Sequence, residues 1–227
     1  MKVFKFGGAS VKNAEGVKNI LSVLKTTEEK DLVVIVSAMG KMTNQLELIV
    51  SNYFLNPNEV KSSIAEVYDY HVQIISDLFS NTSHPIFNLL LKYNNELQFL
   101  LGNNKSNDHS FVYDQVVSFG ELISTTIISH YLSDKGLENK FLDVRSCIKT
   151  DNNYRDAIVD WEKTQKNIIK SIPKKGICIT QGFIASENSH NFTTTLGREG
   201  SDYTAAIFAY CLNAQSVTIW KDVPGVL

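Results

Sequence analysis

Cysteine is scarce in this chain. Cys147, Cys178 and Cys211 are all that its 227 residues contain, an odd number set far apart with no CxxC pair. That scarcity excludes a disulfide framework, leaves no ligand spacing for structural zinc, and suits reduced thiols in a cytoplasmic protein. An excess of one charge is also missing: 22 Lys and Arg against 24 Asp and Glu leave −2, so there is no basic footprint for nucleic acid. No apolar run is long enough to span a bilayer. The N-terminus lacks a basic-then-apolar leader, because glycine and polar residues begin at position 7. Neither nucleic acid nor membrane is therefore an expected partner. GxxxxGK[ST], GxGxxG, HRD and DFG are absent as well, which argues against Walker-type, dinucleotide-binding and protein-kinase loops.

What is present is enough apolar material for a substantial core, 43% of residues, in an alternating order. Residues 3–6 read as a strand, 11–24 as an amphipathic helix, and Leu32-Val-Val-Ile-Val36 as a strand buried on both faces. A helix follows over 46–54, two more over 58–101 broken near Asn81–Pro85, and a long one over 113–132. Then come a short strand at 141–144, a helix over 157–172, a strand at 176–180, a helix from Ser201 to Leu212 and a last strand at 216–220. Strands separated by helices predict an α/β fold with a mostly parallel central sheet.

In such sheets ligands collect at the carboxyl ends of the strands. Glycine-rich or polar runs fall at four of those ends: KFGGAS (5–10), SAMGKMTN (37–44), QGFI (181–184) and WKDVPG (220–225), with LGREGSD leading into a helix. Glycine lets backbone amides converge on an anion, and Lys5 adds a point charge. Arg198 and the helix start at Gly200–Asp202 offer a second anion site. Each residue has a plainer reading beside this one. Lys5 alone is an edge lysine in solvent, Ser201 and Asp202 are helix caps, and Glu121 is a surface residue. Gly120, inside a helix, costs about 1 kcal/mol there, which points to close packing or ligand approach.

Taken together, KFGGAS, SAMGKMTN, SFGE (118–121), TQGFIAS (180–186), TLGREGSDYTAA (195–206) and WKDVPGV (220–226) resemble the motifs of the aspartokinases, members of the amino acid kinase family. The resemblance runs nearly end to end. It implies a three-layer α/β sandwich of the carbamate kinase-like kind, with residues 1–227 as an amino acid kinase catalytic domain. The implied activity is ATP-dependent phosphorylation of the L-aspartate β-carboxylate to 4-phospho-L-aspartate, toward lysine, threonine and methionine. ATP and Mg²⁺ are implied, with no metal ligands from the protein, and a homo-oligomer in the full-length enzyme. Carried over by position, Lys5 and Asp202 would be catalytic. Lys5, Gly7, Gly8, Ser10 and Asp222 would face ATP. Ser37, Thr43, Glu121, Phe183 (through its amide), Arg198 and Ser201 would bind aspartate, with Arg198 on the α-carboxylate and Glu121 on the α-ammonium.

Three positions depart from the family pattern: Ala9 for threonine, Glu199 for glycine, and Lys221 for threonine. Glu199 adds negative charge near an anion site, so its side chain is expected to turn away. Family members continue beyond WKDVPGV into a TADPR-like segment and regulatory ACT domains, whereas this sequence stops at Leu227. The resemblance therefore implies a C-terminally truncated domain with little turnover of its own and an exposed last strand. Two alternatives remain: a catalytically silent module that binds aspartate or phosphate, or a related kinase acting on another carboxylate.

Overall fold

The computed structural model describes residues 1–221. Fifteen elements follow one another in that span. They begin with β1 (Lys2–Phe6), α1 (Ala14–Thr26), β2 (Leu32–Val36), α2 (Met42–Leu55), α3 (Val60–Leu78) and α4 (Pro85–Asn103). The middle holds α5 (His109–Asp134), β3 (Asn139–Leu142), β4 (Lys149–Thr150), α6 (Trp161–Ser171) and β5 (Ile177–Gln181). The last are β6 (Ile184–Glu187), β7 (Thr193–Thr195), α7 (Gly200–Leu212) and β8 (Val217–Trp220).

Five strands form a wholly parallel sheet in the order β3-β5-β2-β1-β8. Strand periodicity divides its side chains between two faces. Phe4, Phe6, Leu32, Val34, Val36, Ile177 and Ile179 point into a large apolar core shared with α1–α5. Val3, Val33, Ile35 and Cys178 point the other way, into a second core with α6 and α7. The result is a three-layer α/β/α sandwich. Helix α5 is buried nearly all round, which is why its apolar residues show no single stripe. Among the described residues no helix is long and apolar enough to cross a membrane.

Several predicted elements begin a few residues elsewhere, and two of them do so for visible local reasons. The helix expected from residue 157 starts at Trp161, because Asp160 caps it by accepting from Lys163 N and Val159 pairs with Thr150. The strand expected over 141–144 lies at Asn139–Leu142, because Asp143 accepts from Arg145 N and starts a 3-10 turn, Val144–Ser146. A second sheet, β4-β6-β7, was not foreseen. Among the described residues β8 pairs only with β1, and its Val217 and Ile219 are exposed.

Candidate active site

The carboxyl ends of β1, β2 and β5 are laced together. Ser37 N donates to Phe6 O (3.2 Å), Gly40 N to Gly8 O (2.9 Å) and Gly182 N to Val36 O (2.9 Å). A side chain at Gly8 would put its Cβ 2.7 Å from the Ala38 carbonyl oxygen, so the lacing needs glycine there. Gly120 answers the question its place in a helix raised. A Cβ on it would lie 2.9 Å from Ala38 Cβ and 3.1 Å from Leu46 Cδ1, so its absence brings α5 against the loop after β2. That contact delivers the next residue, Glu121, to the same place.

Around these loops lies a cleft of about 470 Å³. Lys5, Gly8, Ser37, Thr43, Glu121, Phe183, Arg198 and Ser201 all border it, from sequence positions nearly 200 residues apart. The structure thus gathers eight of the residues that the sequence singled out.

Lys5 reaches the cleft because strand alternation turns it, like Val3, toward the α7 face of the sheet. It is 5% exposed, and its Nζ lies 2.6 Å from Asp202 Oδ1 in the first turn of α7. The Asp202 carboxylate caps no helix end; Glu199 occupies the cap position of α7 without a side-chain hydrogen bond. Lys221 Nζ approaches the other oxygen of Asp202 at 3.3 Å. Burial pushes the Asp202 carboxyl up, but Lys5 and then Lys221 outweigh it and hold it below its usual value.

Glu121 has the opposite surroundings. It is buried, Oε1 accepts from Ala38 N at 3.2 Å, and Oε2 has no partner among the described residues. Burial pushes its carboxyl up to about 8, against the lowering effect of the Ala38 hydrogen bond. A carboxyl oxygen without a partner in a cleft wall is a place for a donor from a ligand. Arg198 is exposed, and among the described residues no carboxylate pairs with it. The helix α7 begins two residues later, so its positive end adds to the same anion-attracting wall.

Several expected contacts are not available. The Gly7 amide and the Ser10 hydroxyl both donate to the Trp220 carbonyl, at 3.1 Å and 3.3 Å, so they tie the glycine loop to β8 and do not face the cleft. The Phe183 amide, expected to meet aspartate, donates to Thr204 Oγ1 at 3.0 Å, and its carbonyl accepts from Leu196 N. Phe183 holds φ at +68°, and these two bonds fix it there. Glu199 stands at the rim of the cleft at φ +55°, and its mostly exposed carboxylate reaches toward Lys221, with Oε2 4.0 Å from Nζ. Asp222 lies outside the described residues.

Sequence reasoning missed Tyr113, Arg155 and Thr195, which also border the cleft. A buried carboxylate, Asp114, organises them. It accepts from Arg155 N (3.0 Å), Thr195 N (2.9 Å) and Thr195 Oγ1 (2.8 Å). Burial raises Asp114 to about 6 against these lowering contacts. Thr195 opens the TLGREGSD run and could have been found there. Arg155, in a polar loop, carried no signal. The cysteines stand apart: all three are free and buried, and burial pushes Cys178 up to about 12 and Cys211 to about 11, so these two are inert thiols.

The arrangement has known counterparts. The lysine-sensitive aspartokinase 3 of Escherichia coli is 32% identical over 99% of this chain and 49% of its own length. The bifunctional aspartokinase/homoserine dehydrogenase of Buchnera aphidicola is 33% identical over the whole chain and 29% of its own length. The crystal structure of E. coli aspartokinase III with aspartate and ADP superposes with a TM-score of 0.89 at 30% identity, over all of this chain and 50% of that one. The chain thus spans about half the length, or less, of these relatives. The profile of the Amino acid kinase family matches residues 1–227 from end to end. With its parallel sheet, its glycine-laced strand ends and that match, the chain belongs to the amino acid kinase family.

Proposed function

We propose that this chain carries the acceptor side of an aspartate kinase, which transfers the γ-phosphoryl group of ATP to the β-carboxylate of L-aspartate. One observation carries the reading: Oε2 of buried Glu121 and the guanidinium of Arg198, neither with a partner among the described residues, share a cleft. A carboxyl that lacks a donor and an arginine that lacks an anion suit the ammonium and α-carboxylate of one amino acid. Bound in that way, aspartate would direct its β-carboxylate toward Lys5. The likeness to E. coli aspartokinase III with aspartate and ADP supports the same choice of ligands.

The reaction needs no general base. An aspartate β-carboxylate has a pKa of about 3.9 and is already ionised near neutrality. Its oxygen would attack the γ-phosphorus while the bond to the bridging oxygen of ADP breaks, leaving an acyl phosphate and ADP. The obstacle is the approach of two anions, and the chain meets it by position and charge. Lys5 would neutralise the transferred group, Asp202 would hold Lys5 in place, and the N-terminus of α7 would add its dipole.

Mg²⁺ belongs to this reading as a companion of the nucleotide. Among the described residues no group of three acidic, histidine or cysteine side chains could cage a metal. Asp202 is already paired by two ammonium groups. On this reading the ion would be held chiefly by phosphate oxygens. A reducing cytoplasm suits the three free thiols.

Calorimetric titration of the 227-residue chain with L-aspartate, L-glutamate and N-acetylglutamate tests the proposal. Aspartate is expected to bind best, and Arg198→Ala to abolish that preference. Stronger binding of either competitor, or aspartate binding untouched in Arg198→Ala, would overturn it. Trapping with hydroxylamine in the presence of ATP then separates phosphoryl transfer from silent binding.

A further inference from the structure

Among the described residues five non-glycine positions hold a positive φ, and three of them border the cleft: Arg155 at +73°, Phe183 at +68° and Glu199 at +55°. Backbone strain of this kind persists only where the surroundings enforce it, and it collects at ligand sites. For Phe183 two backbone hydrogen bonds account for it, and Glu199 starts a helix. A loop that needed only a left-handed turn at 155 would be served better by glycine or asparagine. An arginine there calls for a reason in its side chain.

That side chain is held in a particular way. The guanidinium lies over the Tyr113 ring, 4.2 Å from its centroid, and Tyr113 itself borders the cleft. A guanidinium held against an aromatic face keeps N–H donors free for a carboxylate. Among the described residues the one acidic group within 4 Å of the guanidinium is Glu47, 3.8 Å from Nη2, too far for a hydrogen bond. The backbone is held more tightly, by Asp114, which also fixes Thr195. Ala157 N donates to Thr195 O at 3.0 Å, and a Cβ on Gly197 would meet Asp156 Oδ1 at 2.5 Å. The 155–157 loop thus lies against the segment that ends in Arg198.

We propose that Arg155 is a second guanidinium contact for the α-carboxylate of the acceptor, beside Arg198, and so a residue that sets specificity. The inference rests on the aspartate reading given above. Glu47 is the counter-ion that the ligand's carboxylate replaces. A carboxylate met by two guanidinium groups is read for its charge, so an acceptor whose α-carboxylate is blocked as an amide is rejected.

Arg155→Gly is the direct test. Glycine accepts φ +73° without strain, so the loop survives while the guanidinium is lost. Calorimetry would compare L-aspartate, its α-amide (isoasparagine) and ADP against wild type, Arg155→Gly, Arg155→Lys and Arg198→Ala, with the melting temperature of each. The expected result is aspartate affinity about tenfold lower in Arg155→Gly, the scale of one charge-assisted contact. Affinity for the α-amide stays as in wild type, the melting temperature does not fall, and Arg155→Lys lies between. Aspartate binding within twofold of wild type overturns the proposal. So does equal weakening of aspartate and α-amide, which marks a structural role, or a loss confined to ADP, which places Arg155 on the nucleotide. Aspartate binding that needs Arg198 but not Arg155 leaves the proposed function standing and removes only this inference. A wild-type chain that binds no aspartate removes both.

Discussion

Glu121 and Asp202 are carboxylates of one neighbourhood, and the molecule treats them in opposite ways. Glu121 sits in the wall made by α5 and the loop after β2, with a single backbone donor and one oxygen left over. Asp202 sits beside Lys5 at the start of α7, with an ammonium group on each oxygen. Desolvation acts on both, but only Asp202 has cations close enough to outweigh it. The lesson is that burial alone does not decide the charge of a site; the partners within about 4 Å do. One side of the cleft is kept poor in donors and the other is charged in advance, which suits the ligands of the proposed function.

The contrast breaks most visibly with pH. Glu121 has a raised native pKa, so its contribution to stability is complete below its unfolded value, about 4.3, and is lost as pH climbs through about 8. Asp202 runs the other way: its contribution is present above the unfolded value and is lost as pH falls through its lowered native one. Glu121→Gln is therefore expected to flatten the alkaline decline of urea stability. It should gain on the order of 3 kcal/mol over wild type at pH 8, while weakening aspartate binding about tenfold. In wild type, aspartate binding near pH 7 should release a proton from Glu121, read from calorimetry in buffers of different ionisation enthalpy. A pH profile unchanged by the substitution would mean that Glu121 is already ionised.

Lys5→Met attacks the other side. It strips Asp202 of its nearer cation and leaves it only the exposed Lys221, for an expected loss of about 2 kcal/mol in urea unfolding near pH 7. The acid limb of the stability profile should move up in the same variant. Gly120→Ala tests the packing that delivers Glu121. The methyl group meets Ala38 and Leu46, and the strain should exceed the gain in helix propensity, for a net cost of about 1 kcal/mol by thermal melting. Aspartate affinity should fall with it, while the Lys5–Asp202 pair is undisturbed. The smallest effect belongs to Lys221→Thr. Its half-exposed pair with Asp202 should be worth less than about 0.5 kcal/mol, and less still in high salt.

Much of this was legible in the chain. The unbroken run at 32–36 could only be a strand covered on both faces, and glycine at the ends of neighbouring strands marked where ligands gather. The small sheet was not legible, because Thr193–Thr195 and Lys149–Thr150 are short and polar and show no apolar alternation. Arg155 was invisible for a related reason. Its place depends on Asp114, 41 residues earlier, and on the ring of Tyr113, which no local pattern reveals. Gly7 and Ser10 misled in the opposite sense. Their residue types suit phosphate, but their donors belong to the carbonyl of Trp220, a strand neighbour that local sequence does not disclose.

That carbonyl has a consequence in time. The bond from Ser10 to Trp220 joins residues 210 positions apart. At roughly 5–20 residues per second on the ribosome, the glycine loop waits some 10–40 s after its own synthesis before the oxygen that anchors it has been made. Throughout that interval β1 lacks its neighbour on one side, and Lys5 lacks Asp202. The glycine loop thus waits for a strand made long after it, and the nascent protein cannot hold its cleft in shape until β8 has emerged.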